Sequence, residues 1–390
     1  MKKIDFWTKS VYNNCMKKDL SRRDFFKVTA SMAISSLFLV TSREEANAQE
    51  KGYTSPIEAT HYKKLKGSKV QCYRCPNMCI LKPGERSFCR TRINKKGKLY
   101  TVAYSNPCAV HIDPVEKKPL FHFLPGTNVL SIAIAGCTFR CKYCQNWEIS
   151  QFKPEETVNY ALSPQEVINL AEKYKTPSIA STYSEPTAFY EYMYDISKLG
   201  QKRGIRTTMH SNGSINKKPL EELCVYLDAA NIDLKFFNED TYFKISHGHL
   251  SIVLETLEIL CKKGIHLEIT NLVVPTLNDD EKEIKKMAIW IFEHLGPDIP
   301  LHFSRFYPTY KLKNLPPTPV KTLELARNIA MGIGLHYVYI GNVPGHDGES
   351  TYCPKCGKVV IKRIGYLIKE NNLKNGRCGF CGRRITGVWE

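Results

Sequence analysis

The chain has 390 residues, of which 43% are hydrophobic, so it can form one large globular domain with appendages, or two domains. Eleven of its 15 cysteines fall in three tight groups, a pattern that indicates metal chelation and argues against a disulfide framework. The formal net charge of +18 would be reduced by metal-bound thiolates, and no basic stretch is interleaved with aromatic residues. A general basic surface is therefore expected, and a nucleic-acid partner is not.

Residues 1–48 are predicted to be a twin-arginine signal segment. Arg22-Arg23 precede a short apolar run from Val28 to Val40, and Ala46-Asn47-Ala48 forms an A-x-A site. The implied partner is the twin-arginine export machinery, and an exported, periplasmic-side location is expected. The alternative is an amphipathic N-terminal helix with a chance arginine pair.

Residues 49–128 are predicted to hold a polar lead-in and a small N-terminal cysteine-rich module. Its C-x2-C-x3-C-x9-C spacing is formed by Cys72, Cys75, Cys79 and Cys89. Four thiolates suffice for zinc or for a closed auxiliary 4Fe–4S cluster. Zinc is favoured because Pro76 and Gly84 indicate a compact knuckle, and a redox cluster that feeds electrons to the core is the alternative.

Residues 129–345 alternate between apolar strand-like runs and amphipathic helical stretches. Strands are predicted at 129–135, 178–182, 205–210, 230–235, 266–274 and 301–306. Helices are predicted at 164–175, 187–203, 217–227, 250–263, 279–294 and 320–333, with Ser163-Pro164 and Asn278 marking two of their starts. Six β-α units in series predict an α/β fold, a partial (β/α)6 TIM-like barrel with a parallel sheet, because each helix returns the chain to the same edge.

Three cysteines follow the first predicted core strand, at the edge of the sheet where the loops meet. They form a C-x3-C-x2-C loop and are Cys137, Cys141 and Cys144. Such a loop can bind three irons of a 4Fe–4S cube, and it leaves the fourth iron without a protein ligand. An open iron beside a strand end invites a chelating substrate, whereas a zinc knuckle would need a distant fourth ligand.

Polar residues stand at the ends of the next three predicted strands, where a ligand of the open iron would lie. These candidate binding residues are Ser184, Glu185, Ser211, Asn212, Asp233 and Lys235. A strand alternates faces, so Asp233 and Lys235 should both point into the barrel, where opposite charges are costly unless paired or bound to a ligand. Each pair of residues also has a structural alternative. Asp233 and Lys235 can form an ion pair, Ser184 and Glu185 can cap a helix, and Ser211 and Asn212 can belong to an ordinary turn.

Residues 346–390 are predicted to form a C-terminal four-cysteine module of the zinc-ribbon kind. Two CxxC-G knuckles, separated by 21 residues, contain Cys353, Cys356, Cys378 and Cys381. Two such knuckles close one tetrahedral four-thiolate site. A structural zinc is expected, and rubredoxin-like iron is the alternative.

The central loop, with Tyr143 just before its last cysteine, resembles that of radical S-adenosylmethionine (SAM) enzymes. Much of the chain is similar to the AmmeMemoRadiSam group of that superfamily, which is related to pyruvate formate-lyase activating enzymes. The matching segments are 72–92, 113–126, 136–147, 182–186, 302–308, 337–343 and 351–389. The resemblance implies a 4Fe–4S cluster on the three loop cysteines, with SAM as the cosubstrate that one electron cleaves to a 5′-deoxyadenosyl radical. It also implies a flavodoxin- or ferredoxin-like low-potential electron donor and a protein, peptide or small substrate.

The resemblance assigns roles at the strand ends and leaves the substrate open. Tyr183-Ser184-Glu185-Pro186 takes the place of a Gly-Gly-Glu-Pro that accepts the SAM ammonium group in activating enzymes, and the Asp233-x-Lys235 segment implies a SAM contact. Thr270 stands where the activating enzyme carries an arginine, and dedicated activases lack the tail knuckles. A glycyl-radical enzyme activase and a non-catalytic iron–sulfur or zinc protein are the alternative functions. Because SAM and low-potential electrons are cytoplasmic, activity in the cytoplasm stays open beside the export signal.

Overall fold

A computed structural model of the chain describes residues 49–390. The twin-arginine signal predicted for residues 1–48 lies outside the described residues. Within the described range, no helix is both long enough and apolar enough to cross a membrane.

The main sheet has eight strands that lie side by side in chain order. They are β1 (Ala109–Pro114), β2 (Asn128–Ala133), β3 (Ser178–Ser181), β4 (Arg206–Ser211), β5 (Ala229–Asp233), β6 (His266–Val273), β7 (Leu301–Arg305) and β8 (Val338–Gly341). Strands β2 to β8 are parallel, whereas β1 pairs antiparallel with β2. The edge strands β1 and β8 do not pair with each other, so the sheet is open.

The predicted α/β class with a parallel sheet is confirmed, and the six predicted strands are β2 to β7. The sheet is larger than six units, because β8 adds a seventh parallel strand and β1 an antiparallel edge. Strand β1 lies within residues 49–128, so the sheet begins before the predicted core boundary at residue 129. The hairpin from β1 to β2 therefore joins the N-terminal region to the core.

Eight α-helices are found in the described range. They are α1 (Trp147–Ser150), α2 (Pro164–Lys173), α3 (Tyr190–Arg203), α4 (Lys217–Leu223), α5 (Glu239–Ser246), α6 (Leu250–Lys262), α7 (Glu281–Leu295) and α8 (Val320–Ile333). The six predicted helices are α2, α3, α4, α6, α7 and α8, and α3 is preceded by a 3-10 turn at Pro186–Phe189. Helices α1 and α5 are additional.

Two helix starts show how the sequence fixes these boundaries. Ser163 caps α2 in a capping box, since its hydroxyl accepts from the Glu166 amide at 3.3 Å and the Glu166 carboxylate accepts from the Ser163 amide at 2.6 Å. At α7 the cap is Asp280, whose carboxylate accepts from the amides of the first turn. The predicted start at Asn278 is therefore two residues early, because that side chain bonds back to the Val274 amide at 2.6 Å.

The core lies between the sheet and the helices that cover it. Strand β2 is buried over Val129–Ala133, as expected for a parallel strand covered on both faces. Helix α2 buries Val167, Ile168 and Ala171, which lie on one face at helical spacing. This packing fixes the ends of the parallel strands, where the polar residues of the next subsection project.

Smaller sheets flank the main one and belong to the same compact unit. Near the N-terminus the short strands are Gln49–Lys51, Ile57–Glu58, Tyr62–Lys64, Val70–Cys72, Ile80–Leu81, Arg92–Lys95 and Lys98–Thr101, and the first of them pairs with Val158–Tyr160 from the core region. In the tail they are Thr351–Tyr352, Val359–Ile364, Leu367–Asn371, Leu373–Lys374 and Arg377–Cys378. These elements carry the two four-cysteine groups.

Candidate active site

A cavity of about 440 Å³ opens at the carboxyl ends of the parallel strands. Loops from these ends converge there, as in other parallel α/β folds. It is lined by all nine residues predicted for the core site, namely Cys137, Cys141, Cys144, Ser184, Glu185, Ser211, Asn212, Asp233 and Lys235. The fold therefore brings together residues that lie almost 100 positions apart in the sequence.

The three-cysteine loop leaves β2 through a constrained glycine. Gly136 has φ +117°, and a Cβ there would lie 2.5 Å from the Thr91 side chain and 2.7 Å from the Cys89 carbonyl oxygen. No other residue fits without moving one of these neighbours. Further along, the amides of Arg140 and Lys142 donate to carbonyls near the end of α5 and fix the loop against that helix.

The three loop thiols are sheltered and receive few donors. The Phe139 amide donates to the Cys137 sulfur at 3.3 Å, and the Ser150 hydroxyl lies 3.1 Å from the Cys144 sulfur. Burial raises the pKa of the Cys141 thiol to about 12 and that of Cys137 well above its ordinary value. A cationic metal centre is the partner that would hold these groups as thiolates at neutral pH.

Glu185 is buried, and its carboxylate is held by three donors. It accepts from the Ser211 hydroxyl at 2.7 Å, the Asn212 amide at 2.8 Å and the Thr187 amide at 2.9 Å. The bond from Thr187 caps the short 3-10 turn, so the helix-cap alternative is also realised in the structure. A carboxylate has about four acceptor positions, so about one remains for a donor in the cavity. Burial raises the pKa of Glu185.

The other residues at the ends of β3 and β4 support this arrangement. The Ser184 hydroxyl donates to the Ile134 carbonyl at 2.6 Å and joins the end of β3 to the segment between β2 and the cysteine loop. The Asn212 side-chain amide lies 3.7 Å from the Cys137 sulfur and donates to Thr138 at 3.0 Å. Asn212 therefore contacts both the cysteine loop and the carboxylate of Glu185.

Asp233 and Lys235 point the same way into the cavity, as the strand alternation predicts. Their ion pair is 2.8 Å long, so the structural alternative is realised as well. His210, which the sequence did not single out, lies 3.0 Å from the other Asp233 oxygen. Burial opposes ionisation, yet Lys235 and His210 hold the pKa of the Asp233 carboxyl well below its usual range. Thr270 also lines the cavity, and its hydroxyl donates to Asn231 at 2.8 Å.

A second cluster of charged residues, which the sequence analysis did not predict, lies beside the cavity. Asp113 at the end of β1 binds Lys117 at 2.8 Å, Lys118 at 2.6 Å and the Tyr183 hydroxyl. Burial lowers the pKa of Lys118 to about 8, against the pull of Asp113. Tyr183 has φ +62°, which is the backbone region that favours glycine. The resemblance to a Gly-Gly-Glu-Pro turn was the signal that could have identified this position.

The tail cysteines form a tight set. The sulfur atoms of Cys353 and Cys381 are 3.5 Å apart, and those of Cys356 and Cys378 are 3.8 Å apart. A tetrahedral zinc site with Zn–S bonds of about 2.3 Å places its sulfurs about 3.8 Å apart. Within residues 49–390, this is the one group of three or more potential metal ligands whose donor atoms all lie within 4.8 Å of one another. The geometry fits a single metal ion.

Comparisons with known proteins agree with this site. The chain matches the radical SAM superfamily over residues 131–288. It is 50% identical over 333 residues to an uncharacterized protein of Methanocaldococcus jannaschii, an alignment that covers 85% of this chain and 99% of that protein. It is 26% identical over 170 residues to the pyruvate formate-lyase-activating enzyme of Clostridium pasteurianum, which covers 42% of this chain and 69% of that enzyme.

A solved radical SAM methyltransferase from Sphaerobacter thermophilus is similar at a TM-score of 0.47, with 12% identity and coverage of 76% of this chain and 80% of that one. The chain therefore contains a radical SAM domain and is a radical SAM enzyme. The expected relation to pyruvate formate-lyase activating enzymes is confirmed.

The superfamily implies a 4Fe–4S cluster and SAM, and the cavity fits both. Three cysteines of one loop line it, and among its lining residues there is no fourth. Within residues 49–390, these three cysteines are not among the ligand groups compact enough for one tetrahedral ion, whereas the tail cysteines are. The non-catalytic alternative, which requires four-thiolate ligation at every centre, does not account for this site.

Proposed function

We propose that Cys137, Cys141 and Cys144 hold a 4Fe–4S cluster, that SAM fills the rest of the cavity, and that the enzyme abstracts hydrogen from a substrate at the cavity mouth. The single observation that carries this proposal is the convergence of three thiols and six polar residues on one cavity. Its volume of about 440 Å³ lies within the range of ordinary small-molecule sites. When bound, the cluster and SAM supply a 5′-deoxyadenosyl radical and methionine after transfer of one electron.

Glu185 is the residue that binds the SAM ammonium group in this proposal. A carboxylate with one free acceptor position, buried beside the cysteine loop, provides a charge-assisted hydrogen bond to such a group. Ser211 and the Asn212 amide act as positioning groups, because each donates to this carboxylate and opposes the rise in its pKa that burial causes. Asp233 and Lys235 contribute the charged wall on the opposite strand end, where they contact the polar part of SAM.

The electron comes from a low-potential one-electron donor of the flavodoxin or ferredoxin class. The substrate is a protein, a peptide or a small molecule. Activation of a glycyl-radical enzyme is the second candidate function, favoured by the likeness of the core to a putative glycyl-radical enzyme activating enzyme, 27% identical over 165 residues. Thr270 at the position of an arginine in activating enzymes, together with the tail module, sets this chain apart from dedicated activases.

The tail site holds one structural zinc ion in this proposal, since its sulfur spacing suits a single tetrahedral metal. The module packs near the cavity, and Tyr366 of its hairpin lines the mouth. The ion would therefore stabilise one wall of the substrate entrance and take no part in the chemistry.

The proposal is tested by electron paramagnetic resonance (EPR) of anaerobic, iron-reconstituted protein reduced with dithionite, with and without SAM. The wild type should show a cluster signal that SAM alters, because SAM is the fourth ligand. The Cys141→Ala variant should lose the SAM-dependent change, and Cys224→Ala, which removes a half-buried thiol outside the cavity, should retain it. A wild-type signal that is indifferent to SAM would contradict the proposal.

A further inference from the structure

The N-terminal cysteines Cys72, Cys75, Cys79 and Cys89 differ from the tail cysteines in their spacing. Within residues 49–390, the tail sulfurs form a group whose members all lie within 4.8 Å of one another, and no three of the N-terminal sulfurs do. A single zinc ion needs sulfurs about 3.8 Å apart. A 4Fe–4S cube binds each thiolate to a different iron, so its four sulfurs stand further apart. The spacing argues against zinc, which the sequence favoured.

Every sulfur of this group faces a hydrogen-bond donor. Arg74 donates to the Cys89 sulfur at 3.2 Å, and Arg92 donates to the Cys72 sulfur at 3.5 Å. The Cys79 sulfur accepts from the Phe88 backbone amide at 3.4 Å, and the Cys75 sulfur accepts from the Asn77 side-chain amide at 3.7 Å. Hydrogen bonds to sulfur and the local charge are what tune the reduction potential of an iron–sulfur cluster.

Arg74 indicates that the centre is anionic. Its side chain is fully buried. The Arg92 guanidinium is paired with Glu191 at 2.5 Å, whereas within residues 49–390 the Arg74 guanidinium has as hydrogen-bond partners only the Ala188 carbonyl and the Cys89 sulfur. Glu191 also acts electrostatically on Arg74, so two buried guanidinium groups share one carboxylate, and the excess positive charge is costly unless another anion lies beside it. A cluster with four thiolate ligands carries such a negative charge.

The group lies directly against the loop that carries the core cysteines. The Asn77 side-chain amide contacts both the Cys75 sulfur at 3.7 Å and the Thr138 carbonyl at 3.1 Å. Thr138 in turn accepts from the Asn212 side chain, which also lies 3.7 Å from the Cys137 sulfur. One continuous chain of polar contacts therefore runs from a ligand of one group to a ligand of the other.

We propose that Cys72, Cys75, Cys79 and Cys89 hold an auxiliary 4Fe–4S cluster that passes electrons to the core cluster. A low-potential one-electron donor reduces the auxiliary cluster from its 2+ to its 1+ state. The same electron then reduces the core cluster, and the auxiliary cluster returns to 2+. The relay rests on the proposed function, because it delivers the electron that SAM cleavage consumes. The auxiliary site itself is independent of the proposed function.

The site is tested independently of SAM cleavage, in the full chain with Cys137, Cys141 and Cys144 all changed to Ala. This variant should retain about four irons and four sulfides per chain after anaerobic reconstitution, and an EPR signal on reduction that SAM leaves unchanged. The wild type and the Cys224→Ala control should each hold about eight irons and one zinc. About four irons and two zinc ions in the wild type would overturn the proposal, even if the triple variant fails to fold.

The relay is tested by counting product in a single reduction. Protein is fully reduced, freed of reductant and mixed with SAM, and 5′-deoxyadenosine is measured for the wild type and for Cys75→Ala/Cys89→Ala. With one electron stored on each cluster, the wild type should form about twice the product of the variant, whose core cluster alone is reduced. Equal amounts would overturn the relay. Absence of product from both proteins would instead refute the proposed function, and the metal counts would stand.

Discussion

Replacing Glu185 by glutamine tests the SAM-binding assignment with little change in shape. The carboxylate accepts three hydrogen bonds, and the amide of Asn212 faces one oxygen while Thr187 and Ser211 face the other. A glutamine keeps only one of these oxygens. Its NH2 group therefore faces a donor where the carboxylate had an acceptor, and that hydrogen bond is lost. The glutamine also carries no negative charge, so the SAM ammonium group loses its charged acceptor, and a hydrogen bond to a charged group contributes about 1.5–3 kcal/mol. Since about 1.4 kcal/mol is a tenfold change in affinity, SAM should bind about 10–100 times more weakly.

The measurement is isothermal titration of SAM into anaerobic, cluster-loaded protein. Glu116→Gln is the matched control, because Glu116 is also a buried carboxylate but does not line the cavity. Its SAM affinity should equal that of the wild type even if its stability falls. Because burial raises the pKa of Glu185, wild-type affinity should also decline on acidification at a higher pH than for an exposed glutamate. A Glu185→Gln variant that binds SAM within twofold of the wild type would refute the reasoning.

Three further changes probe the surroundings of the site. Asp233→Asn should lower the free energy of unfolding by about 2 kcal/mol at pH 7, because it weakens the hydrogen bond between the charged groups of Asp233 and Lys235. This deficit should shrink below about pH 4, because a carboxyl group with a lowered pKa stabilises the fold only above the pKa that it has in the unfolded chain, and equal urea midpoints at pH 7 would contradict the prediction. Tyr183→Phe should lower the free energy of unfolding by about 2 kcal/mol, because it removes a hydrogen bond to the Asp113 carboxylate. A change below about 0.5 kcal/mol in urea denaturation, which is the size of an ordinary surface substitution, would argue against that bond. Cys378→Ser should lose about one zinc ion per chain and lower the melting temperature while the iron content stays unchanged; loss of iron by metal analysis would contradict a separate tail site.

The sequence predicted the core of the fold because periodicity there is strong. Strands β2 to β7 are apolar runs, and helix α2 has both its capping box and its buried face written in local sequence. Strand β8 and helix α5 were missed because both are short and their periodicity is weak. Strand β1 was missed for another reason, since its Ala-Val-His-Ile-Asp-Pro sequence is mixed and its pairing with β2 is a long-range contact.

The site was predictable where one residue type carries the chemistry, and less so where partners decide it. The cysteine spacings and the position of Glu185 follow from local motifs. His210 was missed because a single histidine at a strand end has no local signature, and only the fold brings it to 3.0 Å from Asp233. The spacing of sulfur atoms, which separates the two four-cysteine groups, depends on loop conformation and cannot be read from C-x-x-C patterns.

Formation of 5′-deoxyadenosine tests the central claim most directly. Anaerobic, iron-reconstituted protein is incubated with dithionite and SAM, and the wild type is compared with Cys141→Ala. The account predicts 5′-deoxyadenosine and methionine from the wild type and neither from the variant, because three thiolates are needed to hold the cluster that SAM completes. Product from the variant at the wild-type level, or none from a wild type whose core cluster is intact by EPR, would contradict it.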